Sequence, residues 1–462
     1  MEQKSLHVGF LTSEYIIPTK NISGGLASYI KKVSQSLHDR GHRVSVFCLS
    51  DRDHHWSDEG VNIYEVKSKF TGFPRVISQL FSPKTDFREI ITNSSRIAKR
   101  VIKVNSLEPL HILQSTSYKS VGIMLCNNSR IPLVTRISNF TPVYRNAGKV
   151  GDNVNTFSTA LTDWCEIYQL ENSDHSFSPS KLMAGYFSLF SQAKPLIIRT
   201  PFEPADVILD NTFLNRNFQR MKYLLYFGTL NRMKGLEVIS RSIEGLIDEY
   251  PDLHFVFIGR THKDENNRSY ADQILQFNER IKKNLHYIPA LSKEELFPVV
   301  QHACGVLIPS LVDNYPNTCL ESMQFGKIVI GTYGSSLEEM IDDGETGFLV
   351  RMNDIMDLQS GIRRLLNLSK DQKEEMERNI GKKFDLMLSE DRIQQLVDFY
   401  FKTIKDFKRS TAETQLTWER LYFLNKYHEL RVGYFSQLFK NLSKIVVHFQ
   451  KWWKLRSSRE KP

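Results

Sequence analysis

Residues 302–350 set the strongest limit on how this 462-residue chain can fold. A short apolar run, Val306-Leu307-Ile308, leads through a turn into a helical stretch, Asn317 to Phe325. A second apolar run, Ile328-Val329-Ile330, a loop and another helical stretch follow. Apolar runs without polar alternation suit strands covered on both faces, and strand–helix–strand repeats build parallel sheets. With Ser310 ending the first strand, Asp313 falls in the loop at its carboxyl end and Glu321 inside the next helix, seven residues lying between the two acids. Ligands of open parallel sheets bind at that edge. The amides of Asn317, Thr318 and Cys319 at a helix start offer an anion site there, and the two carboxylates offer acceptors for sugar hydroxyls. The competing explanation for either acid is an ordinary solvated side chain.

The same rhythm recurs along the chain. Leu6 to Leu11, a turn at Asn21 to Leu26 and a helix from Ala27 to Asp39 precede a strand from Arg43 to Leu49, a right-handed βαβ unit by default. The paired Gly24 and Gly25 let backbone approach a ligand, or serve only the tight turn. One strand, Val61 to Val66, and a helix, Asp86 to Val104, follow. Leu110 to Gln114 and Ile131 to Ile137 read as buried strands, and a lone strand histidine such as His111 is more often a satisfied structural residue than a catalyst. Proline-containing residues 200–210 mark a linker. Beyond it, Tyr223 to Gly228 reads as a strand, Thr229 to Gly235 as a basic loop and Leu236 to Tyr250 as a helix, so Arg232 and Lys234 meet a helix start at a sheet edge, which is a phosphate site in physical terms. A strand ending at Gly259-Arg260 and another at Leu285 to Ile288 complete the pattern.

Length and pattern give two α/β domains, on a prior of about 150 residues per domain. The boundaries read as 1–200 for the first domain, 201–221 for a linker, 222–390 for the second, 391–410 for a helix crossing back, and 411–462 for an extension. No Gly-x-Gly-x-x-Gly occurs, which excludes the usual dinucleotide fingerprint. Five scattered cysteines, without Cys-x-x-Cys, argue against structural zinc and for a reducing compartment. The expected setting is cytoplasmic, on the inner face of the membrane. A formal charge of +9 points to an acidic partner.

Asp313-x7-Glu321 with its Gly-Ser-Ser-Leu-Glu-Glu loop, the Lys234-Gly235 loop, and Ser-Glu-Tyr before Gly24-Gly25 together resemble the retaining glycosyltransferases of family 4, of the type common in bacterial polysaccharide synthesis. The resemblance implies a GT-B fold, two Rossmann-like doubly wound domains facing a cleft. It implies transfer of a hexosyl unit from a UDP- or GDP-sugar to a glycan or lipid-linked glycan acceptor, without a metal or other cofactor. It places the donor diphosphate on Lys234, with Arg232 or Thr229 as its companion, next to Gly228. Ribose falls to Glu321, the sugar hydroxyls to Asp313, Asn317 and Thr318, and the donor's surroundings to Gly24, Gly25, Arg260, Ile288 and Cys319. Three positions depart from the family pattern: Asp313 stands for glutamate, Thr229 for arginine, and no histidine follows Ile137, leaving Arg136 an electrostatic role. These departures feed an alternative, a non-catalytic scaffold or regulator of a membrane glycan complex.

Two stretches stay open. Phe70 to Phe81 carries three phenylalanines and reads as core or as an exposed lip for a greasy acceptor. Residues 440–462 carry seven Lys/Arg against one Glu, with Trp452 and Trp453 interleaved, and suit an anionic membrane face ahead of packing on the first domain, with nucleic acid not expected.

Overall fold

The computed structural model describes residues 5–18, 24–68, 85–126, 130–147, 157–191, 194–264, 267–276 and 279–407. The turn residues 21–23, the Phe70 to Phe81 segment, the extension 411–462 and its basic stretch 440–462 lie outside the described residues.

Two sheets organise the chain. The first joins β1 (His7–Thr12), β2 (Arg43–Ser50), β3 (His54–Asp58), β4 (Val61–Lys67), β5 (Ile112–Thr116), β6 (Leu133–Arg136), β7 (His175–Ser178) and β8 (Leu196–Ile197) in the order β3-β4-β2-β1-β5-β6-β7-β8. The second joins β9 (Lys222–Phe227), β10 (Leu253–Ile258), β11 (Leu285–Ile288), β12 (Gly305–Ile308), β13 (Val329–Thr332) and β14 (Gly347–Val350) in the order β11-β10-β9-β12-β13-β14. Every pairing is parallel except β3 with β4. The central strands are buried along their length, as β1, β12 and β13 show, which matches their unbroken apolar runs.

The hairpin strand β3 is one of the elements absent from the sequence reading, which placed one strand, Val61 to Val66, between the Arg43 to Leu49 strand and the helix from Asp86. His54, His55 and Ser57 are exposed, so this edge strand carries no buried alternation to read. The expected linker also holds a short helix, Thr212–Asn217, whose Leu214 joins the core of the second sheet together with Phe218.

Side-chain caps fix the helix starts. Ser180, Ser292, Asp354 and Asp391 each accept from the backbone amide three residues on, and Ser369 with Gln372 forms a full capping box. The helix Arg392–Asp406 lays Ile393, Leu396, Val397, Phe399 and Tyr400 into the core of the first sheet beside Val8, Phe10 and Ile30. The Tyr400 hydroxyl donates to Gln114 Oε1 at 2.5 Å, and Arg40 pairs with Asp391 at 2.7 Å. No helix among the described residues is long and apolar enough to cross a membrane.

Close backbone approach at the carboxyl ends of β9 and β10 demands glycine. A Cβ on Gly259 (φ +148) would stand 1.7 Å from the Gly228 carbonyl oxygen. Gly259→Ala therefore forces the two strand ends apart, and chemical denaturation should show a loss of about 2–4 kcal/mol.

Candidate functional site

The site is built where the ends of β9 and β12 meet. Asn231 accepts the Lys234 amide at 3.1 Å and so caps the 3-10 turn Arg232–Lys234, and Gly235, left-handed at φ +76, ends it. A Cβ on Gly235 would lie 1.9 Å from the Pro309 carbonyl oxygen, so only glycine lets this turn sit against the end of β12. Leu311 N–H donates to the Met233 carbonyl at 2.8 Å and ties the two loops together.

That docking brings Lys234 Nζ to 2.6 Å from Asp313 Oδ2. Asp313 is 7% exposed. It also accepts from Ser310 Oγ at 3.0 Å and from the Asn314 amide at 3.2 Å. A carboxylate so buried requires such partners, because an unpaired buried charge costs several kcal/mol. Burial and the nearby Asp313 carboxylate together push the hydroxyls of Tyr144 and Tyr226 and the thiol of Cys319 upward in pKa, so all three are neutral.

The helix Asn317–Gln324 starts beside this pair. Its N-cap is Pro316, which supplies no side-chain acceptor. No acceptor engages the amides of Asn317 and Thr318 among the described residues, and these donors lie at the positive end of the helix dipole. The Cys319 assignment needs correction: its amide donates to the Pro316 carbonyl at 3.1 Å and its side chain is fully buried in the core, so it offers nothing to a ligand. A Cβ on Gly228 would come 3.5 Å from Thr318 Cγ2, which puts the glycine loop next to the helix start. Glu321 is largely buried, and burial raises its pKa; Lys293 at 3.9 Å and Lys32 of the first domain oppose the rise.

The other expected residues make contacts of their own. Arg232 pairs with Glu237 at 3.7 Å, and its Nε has no acceptor among the described residues. Thr229 offers its carbonyl to the Tyr226 hydroxyl at 2.7 Å. The carbonyls of Arg260 and Ile288 accept the amides of Leu230 and Gly259, at 2.7 and 3.1 Å. Gly24 is the N-cap of the Gly25–Asp39 helix, beside the Glu14 carboxylate, while a Cβ on Gly25 would meet nothing within 4 Å. Arg136 is buried on the first domain, donates to Ser138 Oγ and Thr200 Oγ1 at 3.1 Å each, and stacks over Tyr29 at 3.9 Å.

Sequence reading missed the residues that join the domains here. Asn314 donates to the carbonyls of Ile137 and Ser138 at 3.0 and 2.9 Å and accepts from Ser180 Oγ at 2.7 Å. Glu339 accepts the amides of Lys181 and Leu182, at 3.1 and 3.0 Å, and pairs with Arg199. Val312 and Met233 of the second domain pack with Ile137, Phe140 and Phe187 of the first. No local pattern marks such residues, since the partners of Asn314 and Glu339 are more than a hundred positions away.

The profile described as Glycosyltransferase Family 4 matches residues 23–198, and the one described as Glycosyl transferases group 1 matches residues 211–383, together most of the chain. The chain belongs to glycosyltransferase family 4. Curated relatives include D-inositol 3-phosphate glycosyltransferase of Corynebacterium jeikeium, 24% identical over 77% of this chain and 86% of that protein. Among solved structures, sucrose-phosphate synthase of Thermosynechococcus elongatus superposes with a TM-score of 0.70 at 16% identity, over 87% of this chain and all of that one. Anabaena HepE in complex with UDP and glucose superposes with a TM-score of 0.60 at 13% identity, over 86% of this chain and 99% of that one. The family 4 chain has the GT-B α/β fold of these neighbours.

Within this GT-B frame, Glu166 holds one wall of the site. It accepts the Thr141 amide at 2.9 Å and the Thr141 hydroxyl, and so fixes the start of the Thr141–Ala147 helix, which packs on the Arg232–Lys234 turn and carries Tyr144. Burial pushes its carboxyl up to about 8. A raised folded-state value means stability that is complete below the unfolded value near 4.5 and is lost as pH rises through about 8. Thermal melts from pH 5 to 9 should show this loss in the wild type and a flatter profile in Glu166→Gln, with Tm a few degrees higher than wild type at the alkaline end.

Proposed function

We propose that the chain transfers a hexosyl unit from a nucleotide diphosphate sugar, with UDP the favoured carrier, to a glycan or lipid-linked glycan acceptor, with retention at the anomeric carbon and without a metal. The observation that carries this reading is the Lys234–Asp313 pair set beside the open amides of Asn317 and Thr318 at the carboxyl edge of the second sheet. In it, the diphosphate lies against the Lys234 ammonium and the helix start, Glu321 receives ribose hydroxyls, and Asp313 and the two amides receive the sugar. The bond from the anomeric carbon to the phosphate oxygen breaks, and its electron pair leaves with the nucleoside diphosphate. The acceptor hydroxyl oxygen forms the new bond, and its proton passes to the departing phosphate. Lysine charge and helix dipole stabilise the negative charge that develops on that phosphate. UDP bound in the HepE structure supports the choice of carrier. Cell-surface polysaccharide or glycolipid synthesis at the inner face of the membrane suits the charge of +9 and the basic tail.

A second reading, a non-catalytic scaffold of a glycan-assembly complex, is favoured by one feature. The stretch after Ile137 has no histidine, and its carbonyls are held by Asn314.

Thermal unfolding with a panel of UDP-, GDP- and dTDP-sugars tests the site, and the matching donor should raise Tm. Lys234→Ala should then lower turnover, measured as transfer or as donor hydrolysis, by about 10²–10³-fold, the effect typical of losing one donor to a developing anion. A near-wild-type rate removes Lys234 from the chemistry. Donor binding without hydrolysis or transfer supports the scaffold.

A further inference from the structure

Sharing no residue with the donor site, a groove of about 360 Å³ runs between the Thr85–Leu107 helix and the edge of the first sheet, lined by Asp53, Val66, Arg96, Lys99, Arg100 and Lys103. The four cations are spaced i, i+3, i+4 and i+7, so they share one face of the helix and extend about 10 Å along its axis. Like charges at those spacings repel and destabilise the helix that carries them.

Among the described residues one carboxylate lines the groove to offset them. Asp53 is fixed by accepting the Lys67 amide at 3.0 Å, and Arg96 and Arg100 reach it at 3.5 and 3.6 Å. Those distances exceed the roughly 2.7–2.9 Å of a strong charge-assisted hydrogen bond, and Asp53 is half-exposed, so the neutralisation is weak. Lys99 and Lys103 are exposed, and neither has an ion-pair partner among the described residues. Arg96 Nε is buried and has no acceptor among the described residues. The groove thus presents two oriented guanidinium groups, two free ammonium groups and an unanswered N–H in a concave space.

We propose that this groove is a second anion site, separate from the donor cleft, that takes a phosphate group, either of a small phosphorylated ligand or of a lipid headgroup. Phosphate fits because its several oxygens can accept from guanidinium forks and ammonium groups at once, and its charge relieves the repulsion along the helix. Extended nucleic acid fits poorly, since among the described residues the lining offers one valine and no aromatic ring for bases to stack on. The site does not depend on the reading of the donor cleft.

Inorganic pyrophosphate, followed by calorimetry, and co-sedimentation with phosphatidylcholine vesicles with and without phosphatidylglycerol test it on the full chain. The variant Lys99→Glu/Lys103→Glu reverses two exposed charges that make no ion pair among the described residues. The control Lys402→Glu/Lys405→Glu makes the same change in net charge on the Arg392–Asp406 helix. Binding of pyrophosphate, of phosphatidylglycerol vesicles, or of both, weakened about tenfold or more by the first variant and little by the control, supports the site. Which probe binds identifies the source of the phosphate. Equal weakening by both variants, no binding of either probe by the wild type, or binding only of a single-stranded oligonucleotide overturns it. Donor-induced thermal shifts should stay at the wild-type value in the Lys99→Glu/Lys103→Glu protein, so failure here is distinguishable from failure of the cleft assignment.

Discussion

A charged carboxylate that is almost out of water must be answered locally, and Asp313 is answered from three directions: the Lys234 ammonium, the Ser310 hydroxyl and the Asn314 amide. Meeting that demand fixes the surrounding loops. Lys234 reaches Asp313 only because the Arg232–Lys234 turn is capped by Asn231, closed by left-handed Gly235 and pressed onto Pro309. The same arrangement sets positive charge and two open amides at the carboxyl edge of a parallel sheet, where side chains and helix starts converge and backbone hydrogen bonding is incomplete. An anionic ligand is the complement of that edge.

The residue after Asp313 carries the constraint across the molecule. Asn314 has both a donor and an acceptor end, and it uses both on the first domain, bonding the carbonyls of Ile137 and Ser138 and the hydroxyl of Ser180. Glu339 adds a second link by satisfying the start of the Lys181–Ser188 helix and pairing with Arg199. On the far side, the Arg392–Asp406 helix buries its apolar face in the core of the first sheet. Backbone groups at helix and strand ends serve as the docking points, which gives the contact direction as well as apolar area.

Electrostatics divides the first domain into distinct parts. Arg136, buried, is answered by hydroxyls and by the face of Tyr29. The stripe Arg96, Lys99, Arg100 and Lys103 lies along one face of the Thr85–Leu107 helix, with Asp53 the single carboxylate lining its groove among the described residues. The net positive charge is therefore not spread evenly, and its placement on a helix face beside a groove is a property of the fold that composition does not disclose.

The sequence by itself determined what depends on neighbours within a few positions. Unbroken apolar runs marked β9, β10, β12 and β13; serine at Ser292 and glycine at Gly235 marked where helices and turns begin and end; the Lys-Gly loop and the acid pair were legible as types and spacing. Short-range sterics and periodicity carry that information. Tertiary structure alone decided which of these groups meet. Lys234 and Asp313 are 79 positions apart and Asn314 and Ile137 are 177 apart, so their contact follows from strand order and loop docking, which no local window contains. It also decided that the Cys319 amide is already bonded, and that the exposed hairpin strand β3 adds an edge to the first sheet, because hydrogen-bond pairing at an exposed edge leaves no apolar trace in the sequence.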